Sequence, residues 1–261
     1  MNLRRSCPDS PIKSTYPGPY RITIDPLGRF LYVYHKGMGQ LTSFTIDSSS
    51  GDLTWAWATL LSGNLVPSIV TNAPGTYVYA TTGTHLYAYS VNPSTGALTS
   101  VMTALPFDVG GMFVHSAHQK LYFNQSLYNY FGSFAIDSIT GATGAWTQMT
   151  PHQLPTYTSL LQNASGSTAY AVNTYANVVE AYEIDSGTHR LNFMNAKMLP
   201  TGCAPTQARV APSGGFLYVG CTDSSGQTLG FVLQSDGSLG ANVQTTVRTD
   251  LVTDSMRFVE Y

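Results

Sequence analysis

Charged residues are scarce in this chain of 261 residues, and their scarcity limits the class of protein. They make up 10% of the sequence, and 12 lysines and arginines stand against 14 aspartates and glutamates, a formal net charge of −2. Nucleic-acid-binding proteins normally carry a basic stripe, so this balance predicts no nucleic-acid partner. No apolar run approaches the roughly 20 residues that span a bilayer, so no transmembrane segment is predicted.

Recognisable metal motifs are also missing. The six histidines form no H-E-x-x-H pattern, and the three cysteines form no C-x-x-C pair. Only His115 and His118 lie close together, whereas a zinc site needs three or four converging ligands. The sequence therefore predicts no metal site and no cofactor.

Tyrosine is abundant, with 17 residues, and five tyrosines mark an internal repeat. Each lies at the centre of a short apolar strand, 43 to 48 residues from the next: Tyr32, Tyr79, Tyr122, Tyr170 and Tyr218. A turn precedes each strand, and an alternating strand, a second turn and a fourth short strand follow it. Period-2 alternation with short connections indicates antiparallel strands.

Four antiparallel strands in each repeat of about 45 residues are typical of a blade of a β-propeller. The predicted fold class is therefore all-β, with five complete blades over 17–62, 63–106, 107–153, 154–200 and 201–247. Residues 248–261 add a partial repeat, in which 254–261 reads as an extra C-terminal inner strand. Residues 1–16 are expected to be disordered or irregular. Five blades with an orphan strand suggest either a ring that closes unusually with five blades or a chain that has lost N-terminal sequence.

The first repeat, DPLGRFLYVYHKGMGQLTSFTIDSSSGDLT (25–54), resembles the repeat of the lactonase-type seven-bladed β-propeller family. APSGGFLYVG (211–220) carries the same core pattern. The family includes 6-phosphogluconolactonases, carboxymuconate-lactonising enzymes and YVTN-repeat surface proteins. The resemblance implies a propeller fold and lactone hydrolysis at the mouth of the central channel.

The catalytic pattern of the family is not matched at the positions that align. Tyr20 stands where a histidine follows Pro at the start of an inner strand, and Thr206 and Gln207 replace an Arg-His pair. The second strand of blade four ends in Asn173-Thr174, so Thr174 stands where the Glu of the family's Asn-Glu pair would be. Lactone chemistry would therefore depend on other residues.

Lactone hydrolysis needs a general base for water and a donor for the developing oxyanion. The best constellation near the channel mouth pairs Asp108 or Asp254 as the base with Arg209 or Arg257 as the oxyanion partner. Alternation leaves open which of Arg21, Arg209 and Arg257 face the channel.

Ligand contacts are expected from polar and aromatic side chains around the same mouth, because exposed tyrosines there can stack on a sugar ring or contact a protein. The predicted binding residues are Tyr20, His35, Tyr128, Tyr130, Tyr175 and Gln207. Two functions stay open: hydrolysis of a small sugar lactone, or a non-catalytic surface module of the YVTN type that binds a glycan or a protein partner.

Cys203 and Cys221 flank a predicted hairpin of the fifth blade. A turn centred on Pro212 and Ser213 would leave the two cysteines offset by one residue, so a disulfide stays open. Such a bond would indicate an oxidising compartment. The sequence thus suggests a periplasmic or extracellular location, although residues 1–16 show no apolar segment of a signal peptide.

Overall fold

The computed structural model describes residues 18–63, 68–106, 109–125, 130–151, 157–222 and 227–248. In these residues all regular elements are β-strands. None of the described segments forms a helix long and apolar enough to cross a membrane. The expected N-terminal segment 1–16 and the expected inner strand 254–261 lie outside the described residues.

The strands form five antiparallel sheets, each with four strands that follow the chain order, and one sheet carries an additional short strand. The first two sheets contain β1 (Pro19–Ile24), β2 (Phe30–His35), β3 (Gln40–Ile46), β4 (Leu53–Leu60), β5 (Ser68–Thr71), β6 (Tyr77–Thr81), β7 (His85–Val91) and β8 (Leu98–Ser100), with β9 (Leu105–Pro106) also paired to β7. The third and fourth contain β10 (Met112–His115), β11 (Lys120–Gln125), β12 (Tyr130–Ile136), β13 (Thr143–Pro151), β14 (Tyr157–Gln162), β15 (Thr168–Asn173), β16 (Val178–Ile184) and β17 (Leu191–Met198). The fifth contains β18 (Pro205–Val210), β19 (Phe216–Cys221), β20 (Gln227–Leu233) and β21 (Leu239–Arg248). The predicted propeller of five four-stranded blades is confirmed.

Aspartates close the turns between the third and fourth strands of several blades. Asp47 Oδ1 accepts hydrogen bonds from the N–H groups of Ser49 and Ser50, and Asp137 and Asp185 each accept two backbone bonds in the same way. The serine hydroxyl and backbone donors lower the pKa of Asp47 to about 2. These aspartates therefore stabilise their turns through hydrogen bonds to the backbone.

Apolar side chains on both faces of each sheet form four clusters, one between each pair of successive blades. Four of the five repeat tyrosines, Tyr32, Tyr79, Tyr122 and Tyr170, lie in these clusters, and three of them bond to the following blade. The hydroxyls of Tyr79, Tyr122 and Tyr170 donate to the carbonyls of Gly141, His189 and Gly237, at 2.9, 3.0 and 2.8 Å. The repeat therefore marks the contacts that join blades.

His115 and His118 lie at the turn between β10 and β11, at the end of the propeller opposite the starts of the inner strands. Their rings stack at 3.7 Å between centroids, and the His189 ring lies 4.2 Å from His118. His115 Nδ1 accepts from the His118 N–H, so its Nε2 donates to the Gly166 carbonyl. Both ring nitrogens of His115 are therefore used within the fold. Within the described segments, no three His, Cys, Asp or Glu side chains are arranged to hold a metal ion.

Candidate functional site at the channel mouth

A cavity of about 220 Å³ lies on the propeller axis, where the inner strands of all five blades converge. The glycine at 111 allows close approach between two of these strands, because a Cβ there would lie 2.5 Å from the Leu160 nitrogen. The polar side chains that line the cavity are Arg21, Thr23, Ser68, Ser159, Thr206, Gln207 and Arg209. An axial cavity of this kind is a usual place for a small ligand.

Two side-chain oxygen atoms in the wall lack partners in the described part of the chain. They are Gln207 Oε1 and Thr206 Oγ1, both of which are buried from solvent. The Gln207 side chain is only 6% exposed. An unpaired buried polar atom costs roughly 1–3 kcal/mol, so these atoms indicate a place where a bound polar molecule would be stabilised.

The wall is positively charged and rich in donors. Arg21 and Arg209 both line it, and Arg209 Nη1 donates to the Ala208 carbonyl at 2.9 Å. None of the described lining residues is a carboxylate or an imidazole. The arrangement can hold an electron-rich oxygen or an anion, because each guanidinium offers several N–H donors.

Three inner strands carry a register shift where they begin. The shifts fall between Pro19 and Arg21, between Tyr157 and Ser159, and between Pro205 and Gln207. A bulge inserts one residue and re-aims the side chains beside it. In blade five the bulge allows the adjacent residues Thr206 and Gln207 both to line the cavity.

Of the residues predicted for catalysis, Arg209 lines the cavity together with Arg21. Asp108, Asp254 and Arg257 lie outside the described residues. The question of which arginines face the channel is thus answered for Arg21 and Arg209.

The predicted binding residues separate into two groups. Gln207 lines the cavity, and the Tyr20 ring lies at the mouth, with Arg21 Cζ 4.8 Å and Lys36 Nζ 4.9 Å from its centroid. Tyr175 is 79% exposed in the connection between β15 and β16, which reaches the same end of the propeller. These three residues therefore lie at or near the mouth.

The other predicted binding residues are placed differently. His35 is fully buried, with Nε2 3.0 Å from the Thr42 hydroxyl. The Tyr130 ring stacks on Trp146 of the fourth strand, at 5.7 Å between centroids. Tyr128 lies outside the described residues.

The sequence analysis missed Ser68 and Ser159 as lining residues. Both residues line the cavity because of the inner-strand registers, which hydrophobic alternation alone does not show. The hairpin register of blade five also differs from the prediction. Ala211 and Phe216 close a turn with four residues between them, so Gln207 is opposite Gly220 and Pro205 is opposite Cys221.

The disulfide that the sequence left open is present between Cys203 and Cys221. Cys203 lies in the connection before β18, one residue before Ala204, and Cys221 is the last residue of β19. The bond therefore lies at the mouth end of blade five.

Fold and cavity together define a β-propeller with a small polar site on its axis. The sequence model of the family described as "Lactonase, 7-bladed beta-propeller" matches residues 9–114, which confirms the resemblance of this chain to lactonase-type propellers. No curated protein matches the chain.

Solved structures show the same fold at low sequence identity. A candidate 6-phosphogluconolactonase of Bacteroides uniformis superimposes with a TM-score of 0.81 at 15% identity, over 94% of this chain and 76% of that one. A second, from Bacteroides fragilis, gives 0.78 at 14% identity, over 92% and 74%. The periplasmic gluconolactonase of Pseudomonas aeruginosa gives 0.67 at 18% identity, over 88% and 70%. These likenesses concern the fold alone.

Proposed function

We propose that this lactonase-type propeller binds a small sugar lactone at the mouth of its central channel and hydrolyses it. The observation that carries the proposal is the axial cavity, whose wall contains both Arg209 and the buried, unpartnered oxygen of Gln207. The family resemblance supports a lactone as the ligand. Gluconolactonase and 6-phosphogluconolactonase are the activities given to structures of the same fold.

The chemistry assigns separate roles to the wall residues. Water adds to the lactone carbonyl, the ring C–O bond breaks, and the ring oxygen leaves as a hydroxyl of the product acid. Arg209 stabilises the negative charge that develops on the carbonyl oxygen. Gln207 and Thr206 hold the sugar hydroxyls, which supply the hydrogen-bond partners that these two side chains lack within the described residues.

The general base remains a sequence prediction. Asp108 and Asp254 are the candidates, and both lie outside the described residues. Arg21 and Lys36 contribute further positive charge at the mouth, which favours the carboxylate of the product as well as the developing oxyanion.

The test is hydrolysis of a panel of five- and six-membered sugar lactones, with and without a phosphate group. We expect turnover well above the spontaneous rate, and a fall in kcat of roughly 100-fold or more in Arg209→Ala. Loss of turnover in either Asp108→Ala or Asp254→Ala would identify the general base. Arg190→Ala is the matched control, because Arg190 is exposed in the turn before β17 at the far end of the blade. Folded wild-type protein without turnover on any member of the panel would overturn the proposal.

The Cys203–Cys221 bond supports a location in an oxidising compartment, such as the periplasm or the cell exterior, where disulfides persist. Thiol labelling of the protein in intact cells tests this, and two reactive thiols at these positions would contradict it.

A further inference from the structure

The first and fifth blades begin with the same backbone arrangement. Gly18 precedes Pro19 in blade one, and Ala204 precedes Pro205 in blade five. Both residues have a positive φ, 73° for Gly18 and 44° for Ala204. The Lys36 N–H donates to the Gly18 carbonyl, and the Thr222 N–H approaches the Ala204 carbonyl at the corresponding place.

Alanine is a poor residue for this conformation. A positive φ brings the Cβ close to the backbone, and glycine avoids that cost. Blade five therefore holds an alanine where blade one uses a glycine. Something in blade five must supply the additional stabilisation.

The Cys203–Cys221 disulfide lies directly before this alanine. Both cysteines are buried, at 2% and 1% exposure. Two threonines also hold this segment in place. Thr222 Oγ1 donates to the Ala204 carbonyl at 2.9 Å, and Thr174 of blade four donates to the Pro205 carbonyl. The disulfide thus ties one end of a short, strained segment to the neighbouring strand.

The strained segment leads into the wall of the cavity. The register shift between Pro205 and Gln207 makes Thr206 the extra residue of the bulge, two residues after Ala204. Thr206 and Gln207 both line the cavity with unpartnered buried oxygens. A change of φ at Ala204 would alter the direction of the chain that follows, and with it the orientation of the Thr206 and Gln207 side chains.

We propose that the Cys203–Cys221 disulfide is a positioning device for the ligand site. It holds Ala204 in the left-handed conformation, and this conformation fixes the bulge that directs Thr206 and Gln207 into the cavity. The identity of the ligand rests on the proposed function, but the positioning does not.

Three variants test the proposal: Cys203→Ala/Cys221→Ala, the same pair combined with Ala204→Gly, and Tyr170→Phe. We expect the double variant to raise KM for the lactone roughly tenfold, because Ala204 leaves the left-handed conformation more easily. Adding Ala204→Gly should restore most of the loss, since glycine holds this φ without the disulfide. A disulfide that only stabilised blade five would not be replaced in this way.

Tyr170→Phe is the matched control for general weakening. It removes a hydrogen bond between blades four and five at the turns between third and fourth strands, away from the mouth. We expect a lower melting temperature and an unchanged KM. A tenfold rise of KM in this control would contradict a specific role for the disulfide.

Hydrogen exchange separates this proposal from the proposed function. The double variant should exchange faster at the amides of Ala204 and of residues 206–209, and the triple variant should return toward the wild-type rate. If the wild type hydrolyses and binds no lactone, the proposed function fails, while the exchange pattern still decides the positioning role. Unchanged exchange over these residues in the folded double variant, or no recovery in the triple variant, would overturn the inference.

Discussion

Replacement of the repeat tyrosines by phenylalanine should separate the hydrogen bonds between blades from the packing of the rings. Tyr79→Phe and Tyr170→Phe each remove a hydroxyl that donates to a carbonyl of a buried glycine in the next blade. The ring and its burial are retained in both variants. The carbonyl is left without its donor in a place that water does not reach.

The expected magnitude follows from this loss. An unsatisfied buried group costs about 1–3 kcal/mol, so each variant should lower the free energy of unfolding by about that amount. Burial raises the pKa of Tyr170 to about 12, so its hydroxyl stays protonated and remains a donor over the ordinary pH range. Tyr122→Phe should cost less, since its acceptor His189 is only partly buried.

Tyr32 is the matched control in the first blade. Its hydroxyl is buried and has no partner in the described part of the chain, because Ser43 Oγ donates to the corresponding carbonyl of Gly96 at 2.8 Å. Tyr32→Phe should therefore be neutral or stabilising, since it removes a buried hydroxyl that gains nothing.

The measurement is urea denaturation of all four variants, followed by fluorescence and circular dichroism. The free energies can be compared directly if the variants share the same m-value. The decisive comparison is Tyr32→Phe against Tyr79→Phe and Tyr170→Phe. If Tyr32→Phe destabilises as much as the other two, the hydroxyl bonds are not the source of the loss, and the reasoning is refuted.

Two further predictions concern the turns and the histidine pair. Gly51→Ala should lower the free energy of unfolding by about 1–2 kcal/mol, because alanine is strained at its φ of +78°. Gly141→Ala should lower it by about 1–3 kcal/mol more, because the added Cβ would also overlap the Tyr77 ring. Equal losses in the two denaturation curves would contradict this. Burial, together with the charges of neighbouring histidines and Lys120, lowers the pKa of His118 below 6.5, so the unfolded chain binds more protons between the two pKa values. Stability should be full above about pH 6.5 and fall as the pH drops to the folded-state pKa, and His118→Gln should flatten this part of the profile; an identical profile in the variant would exclude His118 as the cause.

The repeat made the fold predictable, and the reason is the same in every blade. Alternating apolar residues around a central tyrosine bury both faces of a strand, and the turn residues set the ends. The strand β15, TAYAVN, is buried at every position, as a strand covered on both faces must be. The sequence therefore predicted the number of described blades and the position of their turns.

The orientation of the site residues was less predictable, because it depends on single-residue shifts. The turn of blade five has four residues between Ala211 and Phe216 where a two-residue turn was expected, and the bulge at Thr206 adds a further shift. A shift of one residue exchanges the two faces of a strand. Alternation therefore identified Arg209 and Gln207 as candidates but did not establish that they line the cavity, and it missed Ser68 and Ser159.

The residues that depart from the repeat carry the properties that are specific to this chain. Gly18-Pro19-Tyr20-Arg21 and Ala204-Pro205-Thr206-Gln207 begin two inner strands with the same bulge and with entirely different side chains at the mouth. One sequence places an aromatic ring against two cations, and the other places two buried oxygens in the wall of the cavity. Because the blade geometry tolerates both, structures that share the fold at 14 to 18% identity can differ in the ligand they hold. Under the proposed function, selectivity among lactones should therefore be tested at these bulged positions, where a change of side chain alters the site and leaves the propeller intact.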